Sequence, residues 1–295
     1  MIAKRFLLGV VAAGLVLALL PRSAAADGPK GTAVIKGKVV LEGDPGKTGV
    51  IPVNKDQFCQ NAHAKTKKKV PDQGTIIYKG QGNAVPYAFV YVKNIKDRYD
   101  PPKDAALIDQ KGCVYYPHVF GMVAGQELHI KSSDPTAHNI HALPKKNSEF
   151  NISQPKMGVL QRKGAQTFTR PEMAIKIKCD VHPWMNAWCH VMPHPFFDVT
   201  VSHESDGGDK SKRGCFEIKE LPAGEYEIVA WHEKLGTVSQ KVKVGDGETK
   251  EIEVKMSKKS ASAAQPSRTI LASSVQSGDA SSDTMGDEKA AVASE

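Results

Sequence analysis

Several chemistries find no residues to run on in this chain. It carries no pair of carboxylates placed for acid–base work, no Ser/His/Asp arrangement and no glycine-rich phosphate loop. Hydrolysis and phosphoryl transfer are therefore unsupported, and the chain is not expected to be an enzyme. Cys-x-x-Cys-His is missing as well, because the residue three before Cys189 is Asn186, which excludes covalent haem attachment of that kind. Beyond the first 20 residues there is no long apolar run and no long stretch of helical period, so membrane spans and helical bundles are not expected. From 257 to 295 there is no aromatic and few large apolar residues; such a composition buries too little surface to offset ordering entropy, and a disordered tail is expected.

What is present begins with Lys4 and Arg5, an apolar run from Phe6 to Leu20, and then Pro21, Arg22, Ser23 and three alanines. This is the pattern of a secretory leader over 1–26, cut after Ala26. The run falls short of the roughly 20 residues that span a bilayer, and no cysteine near the cut offers a lipid anchor. The expected product is an exported protein, periplasmic or extracellular, with no stable membrane insertion. Three of the 40 basic residues (Lys4, Arg5, Arg22) leave with the leader, so the rest exceeds its 32 acids by only five. That surplus permits docking to an acidic partner and does not indicate nucleic-acid binding. The run Lys65, Lys67, Lys68 and Lys69 reads as a solvated loop or a docking patch.

Short β-rich runs follow one another, punctuated by glycine and proline: 33–41, 88–93, 107–117, 126–132, 166–169, 174–179, 187–192, 197–201, 215–218, 226–231, 238–244 and 251–256. The spacing predicts an all-β sandwich architecture. Against that background one stretch stands apart. Cys179, His182 and Met185 place a thiolate, an imidazole and a thioether within seven residues at the end of a strand, and His138 and His141 lie upstream. One cysteine, two histidines and one methionine form the ligand set of a blue-copper centre, in which the thioether is a weak axial donor. His138, Cys179, His182 and Met185 are the expected ligands of one copper per chain. His141 would point to the opposite face from His138. Asn139 is placed to hydrogen-bond backbone near the cysteine and join the two ligand segments. Pro183 stiffens the loop. Trp184 is either an apolar rim for electron exit or ordinary packing. His118, His129, His190, His194, His203 and His232 lack paired spacing and are read as surface or hydrogen-bonded core residues.

Two resemblances come with these residues. The run from Gly112 to Asp134 followed by His138-Asn-Ile-His141 resembles the first half of a cupredoxin, and Cys179-x-x-His182-x-x-Met185 with Pro183 resembles the short ligand loop of amicyanin-type members. The likeness covers roughly 98–205. Asp180 departs from the pattern, as a carboxylate that would favour the oxidised metal. So does 147–163, expected to be a long loop flanking the site. Ile35 to Leu41, Ala88 to Val92, Gly214 to Tyr226 with its Leu-Pro-x-Gly-x-Tyr, and Val242 to Glu248 resemble a carboxypeptidase-regulatory-like (transthyretin-type) β-sandwich. Its halves lie on either side of the first resemblance. The implied layout is a leader at 1–26, a first half-sandwich at 32–97, a Greek-key cupredoxin-like domain at 98–205 and a second half-sandwich at 206–256, with the tail from 257. The cupredoxin-like domain would thus be inserted in, or fused with, an Ig/transthyretin-like sandwich.

The implied function is single-electron transfer with an unidentified redox partner protein, met at the surface around His182, Pro183 and Trp184. A copper carrier or store, and a polysaccharide- or protein-binding scaffold with a vestigial metal site, are the alternatives. With Cys179 claimed by the metal, Cys59, Cys113, Cys189 and Cys215 allow three pairings that sequence does not choose between. Cys59–Cys113 with Cys189–Cys215 is favoured, each pair lying on segments expected to pack together.

Overall fold

A computed structural model describes residues 28–258. The expected leader, and the tail from 259 on, lie outside the described residues. Among the described residues no helix is long and apolar enough to cross a membrane.

The chain is all-β. In order it runs through β1 (Ala33–Leu41), β2 (Val50–Pro52), α1 (Gln57–Ala62), β3 (Lys69–Pro71), β4 (Phe89–Val92), β5 (Ala106–Lys111), β6 (Val114–Tyr116), β7 (Val119–Val123), β8 (Leu128–Ser132) and β9 (His138–Leu143). It continues through β10 (Phe150–Gln154), β11 (Gly158–Arg162), β12 (Glu172–Lys178), β13 (Asn186–Met192), β14 (Phe197–Val199), β15 (Cys215–Leu221), β16 (Gly224–His232), β17 (Gly236–Val244) and β18 (Thr249–Met256).

The outer sandwich comes from both ends of the described chain. One sheet has the order β15-β1-β18 and the other β14-β4-β16-β17. Alternation drives it: Ala33, Ile35, Val39 and Leu41 of β1 turn inward to meet Ile228 and Ala230 of β16. Gly37 interrupts the pattern because β18 runs too close for a side chain; a methyl there would overlap the Ile252 carbonyl oxygen. β1 and β18 pair in parallel from Val34↔Thr249 to Leu41↔Met256.

The middle sandwich packs β10-β9-β12-β13-β7 against β11-β8-β5-β6. Ile108, Leu128 and Ile130 on one sheet meet Ile140, Ile175 and Ile177 on the other. Chain leaving β4 builds this unit and returns as β14, which is hydrogen-bonded to β4. The two units touch through an aromatic seam. Phe89 stacks on His190 with ring centroids 4.1 Å apart, and Gly121 has no side chain where Phe89 and Phe197 press on β7.

Four expectations are corrected. The 147–163 stretch is a hairpin, β10 and β11, that adds one strand to each middle sheet. No strand forms at 166–169; Gly164–Gln166 is a 3-10 turn, and Phe168 is held by burial rather than by a ladder. Residues 50–71, read as part of the outer half-sandwich, send Val53, Cys59 and Val70 into the middle core, while Phe196 joins the outer one. Cys59–Cys113 is a disulfide, but Cys189 and Cys215 are free thiols. The reason is placement: Cys189 points into the middle core from β13, and Cys215 sits half-buried on β15 of the outer sandwich.

Candidate metal centre

Three segments meet at one end of the middle sandwich. His138 opens β9, and Cys179 follows the last residue of β12. The intervening loop turns back into β13 at Asn186. That loop is closed from within, since the Cys179 N–H donates to the Met185 carbonyl at 3.1 Å and the Met185 N–H to the His182 carbonyl at 2.9 Å. Asn139 ties it to β9. Its side-chain oxygen accepts from the Asp180 N–H at 2.7 Å and from the Cys179 thiol at 3.2 Å.

The resulting geometry is compact. His138 Nδ1 and His182 Nδ1 are 3.0 Å apart, and Cys179 Sγ is 3.8 Å from His182 Nδ1. All three ligand atoms lie within 4.8 Å of one another, and all three residues are at most 2% exposed. Metal–imidazole bonds of about 2.0 Å and metal–thiolate bonds of about 2.3 Å allow one ion to reach all three. Met185 is buried in the same core at the far end of the loop. His141 stays outside the cluster, bonded instead to Asp180 at 2.9 Å and Glu149 at 2.8 Å.

The outer ring nitrogens are also occupied. His138 Nε2 faces Asp134 Oδ2 at 3.0 Å, and that buried carboxylate accepts the Gly112 and Cys113 N–H groups at 2.7 and 2.8 Å. Because Nε2 donates to Asp134, Nδ1 is the nitrogen turned inward, and it becomes a ligand once a metal displaces its proton. Asp134 was not singled out from the sequence, although its place four residues before His138 was a usable signal. His182 Nε2 lies 3.6 Å from Cys59 Sγ of the disulfide.

Electrostatics follow from this packing. Burial works against the His138 cation, but the Asp134 carboxylate and the Cys179 sulfur outweigh it and raise the pKa to about 9. Burial likewise opposes the Cys179 thiolate, and hydrogen bonds from His138 and His182 overcome that, bringing it down to about 6. Asp180 is held well below the usual carboxylate range, first by Lys178 at 2.7 Å and then by Asn151, His141 and Asn139.

A cover lies over His182. α1 is capped by the Asp56 side chain, which accepts the Cys59 N–H at 2.9 Å, and Thr136 donates to the same carboxylate at 2.9 Å. His63 contacts the Gly112 carbonyl at 2.6 Å, and the disulfide completes the attachment. The expected contact surface around His182, Pro183 and Trp184 is therefore revised. His182 and Trp184 are buried, Trp184 donating to the Cys113 carbonyl at 2.9 Å, and only Pro183 is exposed.

No protein-family model matches the chain, and no curated protein does. Solved structures with partial likeness include a copper-containing reductase, a cupredoxin and amicyanin variants. The copper-containing nitrite reductase of Thermus scotoductus SA-01 is 16% identical with a TM-score of 0.27, over 34% of this chain and 25% of that one. A purple cupredoxin from Nitrosopumilus maritimus is 18% identical with a TM-score of 0.24, over 30% of this chain and 99% of its own. An oxidised amicyanin variant is 15% identical with a TM-score of 0.26, over 36% and 91%. The chain thus spans about a quarter of the reductase and most of the two small proteins. TM-scores of this size carry no functional argument, which rests on the donor set alone.

Proposed function

We propose that this is an exported protein that holds one type-1 copper ion and passes single electrons between redox partners, without enzymatic turnover. The observation that carries the proposal is the convergence of His138 Nδ1, His182 Nδ1 and Cys179 Sγ in one buried pocket. Two imidazoles and a thiolate with a thioether nearby suit copper better than hard cations, which favour oxygen donors. Copper, when bound, supplies a one-electron couple. The chain's part is to keep the donors still. Cys179 would offer the thiolate, favoured by its lowered pKa, His138 and His182 would offer their inner nitrogens, and Met185, buried in the same core, would offer a thioether. Asp134, Asn139 and the disulfide hold these groups in place. The cover over His182 supports keeping the ion rather than handing it on, which weighs against a cargo carrier. The outer unit is read as a carboxypeptidase-regulatory-like scaffold, with polysaccharide its candidate ligand.

Adding Cu(II) to the metal-free protein should give an intense blue absorption, which Cys179→Ser should abolish while far-UV dichroism stays unchanged. A colourless wild type after loading would contradict the proposal.

A further inference from the structure

We propose that the cover, residues 55–69, is a docking surface for the acidic face of a partner protein that exchanges electrons with the centre. The redox part rests on the copper reading above; the docking surface stands on its own observations.

Charge is the first of these. Lys55, Lys65, Lys67, Lys68 and Lys69 are all exposed, and among the described residues none has a carboxylate within 4.0 Å. Some lysines elsewhere, Lys36, Lys93, Lys178 and Lys219 among them, sit beside acids; what sets 55–69 apart is five with no acid beside them in a run with a single, engaged acid. Asp56 is the single acid between 55 and 69, and it is engaged as the helix cap and by Thr136. Five uncompensated charges so close in sequence produce a local positive field. At a Debye length of about 8–10 Å they act together on an approaching anion.

Position is the second. The cover is not a free loop, because the disulfide, the Asp56 cap and His63 fasten it to the turns that carry the site. It lays Cys59 Sγ on the outer nitrogen of His182 at 3.6 Å. Lys67 and Lys68 both take left-handed backbone conformations (φ 56° and 57°), which non-glycine residues adopt at a cost of about 1 kcal/mol or more each. The chain thereby turns back into β3 and leaves both side chains outside.

The surface favours protein over other polyanions. Residues 55–69 expose no large apolar side chain to enter a lipid layer and no aromatic to stack on bases; Phe58 packs against the middle core.

The test uses two probes. Hexacyanochromate(III), a paramagnetic and redox-inert anion, should broaden the amide signals of 55–69 selectively in the metal-free protein, and salt should reverse the effect. Hexacyanoferrate(III) should oxidise the copper-loaded, reduced protein, taking one electron and becoming hexacyanoferrate(II). Reversing charge at Lys65, Lys67 and Lys69 to Glu should slow that step by about tenfold. The same reversal at Lys241, Lys243 and Lys250 of the outer unit should change it less than about twofold. Even broadening over both units, or equal slowing by the two variants, would overturn the docking surface. Preferential binding of phosphatidylserine vesicles over a polyglutamate peptide would overturn the choice of a protein partner. Selective broadening with no oxidisable centre would overturn the copper reading instead.

Discussion

Ile177 and Ile228 occupy comparable places, each fully buried on an interior strand of its sheet. Their surroundings differ. Ile228 lies in a core made of Val, Ile, Leu, Ala, Phe, Tyr and Met side chains. Ile177 shares its core with four cysteines, Met122, Met185 and Trp184, and at one end that core abuts His138, His182 and Asp134. The middle unit tolerates this because the polar groups at the site have partners, whereas away from it Asp109 Oδ1, Gln110 Oε1, Ser132 Oγ and Arg162 Nε are buried without one. Asp134 collects two N–H groups and an imidazole, and Asn139 serves three segments. The seam between the units pairs His118 with Glu233 and leaves other ring nitrogens without partners. His190 Nε2, His232 Nε2 and Trp188 Nε1 are buried without a hydrogen bond, and burial pushes His190 down to about 3 and His232 to about 4. A neutral ring is cheap to bury, whereas a charged one must be paired.

Three experiments press on this contrast. The largest effect should come from removing the disulfide, which spans 54 residues of sequence. Chain-entropy reasoning gives about 4 kcal/mol for a loop of that length. Replacing Cys59 and Cys113 by Ala should lower the denaturant midpoint accordingly, with hydrogen exchange rising first in 50–71 and last in β16. Equal acceleration in both units would remove the distinction between them. Asn139→Ala comes next, at about 1–3 kcal/mol, because it strands the Asp180 N–H and the Asn151 side chain. In the copper-loaded protein the absorption band should also broaden as the ligand loop loosens.

The smallest near neutral pH concerns acid. His190 titrates near 6.5 when unfolded and about 3 when folded, so between these values the unfolded chain binds the extra proton. Stability should fall as pH drops below 6.5, approaching about 1.4 kcal/mol per pH unit for this one group. His190→Phe should flatten that slope; an unchanged slope would place the acid sensitivity elsewhere.

Legibility followed the same division. The outer strands and the β12 and β13 pair were readable because alternation is a local property of the chain. The spacing of Cys179, His182 and Met185 was readable because a single loop carries it. The β10–β11 hairpin was not, since Phe150-Asn-Ile-Ser alternates over only four residues, β11 leaves Val159 exposed, and their strand character depends on β9 and β8 as partners. The lysine run of the cover reads as a solvated loop or a docking patch, and nothing in its sequence ties it to the site. Its importance comes from Cys113, 54 residues away, and from Asp134, neither of which announces a neighbour. Cys189 and Cys215 looked available for a bridge because sequence counts thiols without showing which interior each one faces.

The parallel pairing of β1 with β18 has a mechanical consequence. The described chain enters at one end of that ladder and leaves at the other, so tension between its ends would shear all the rungs together rather than unzip them singly. A load of that kind would be borne by the first and last strands, and the loops around Cys179 would feel none of it until that clamp gave way.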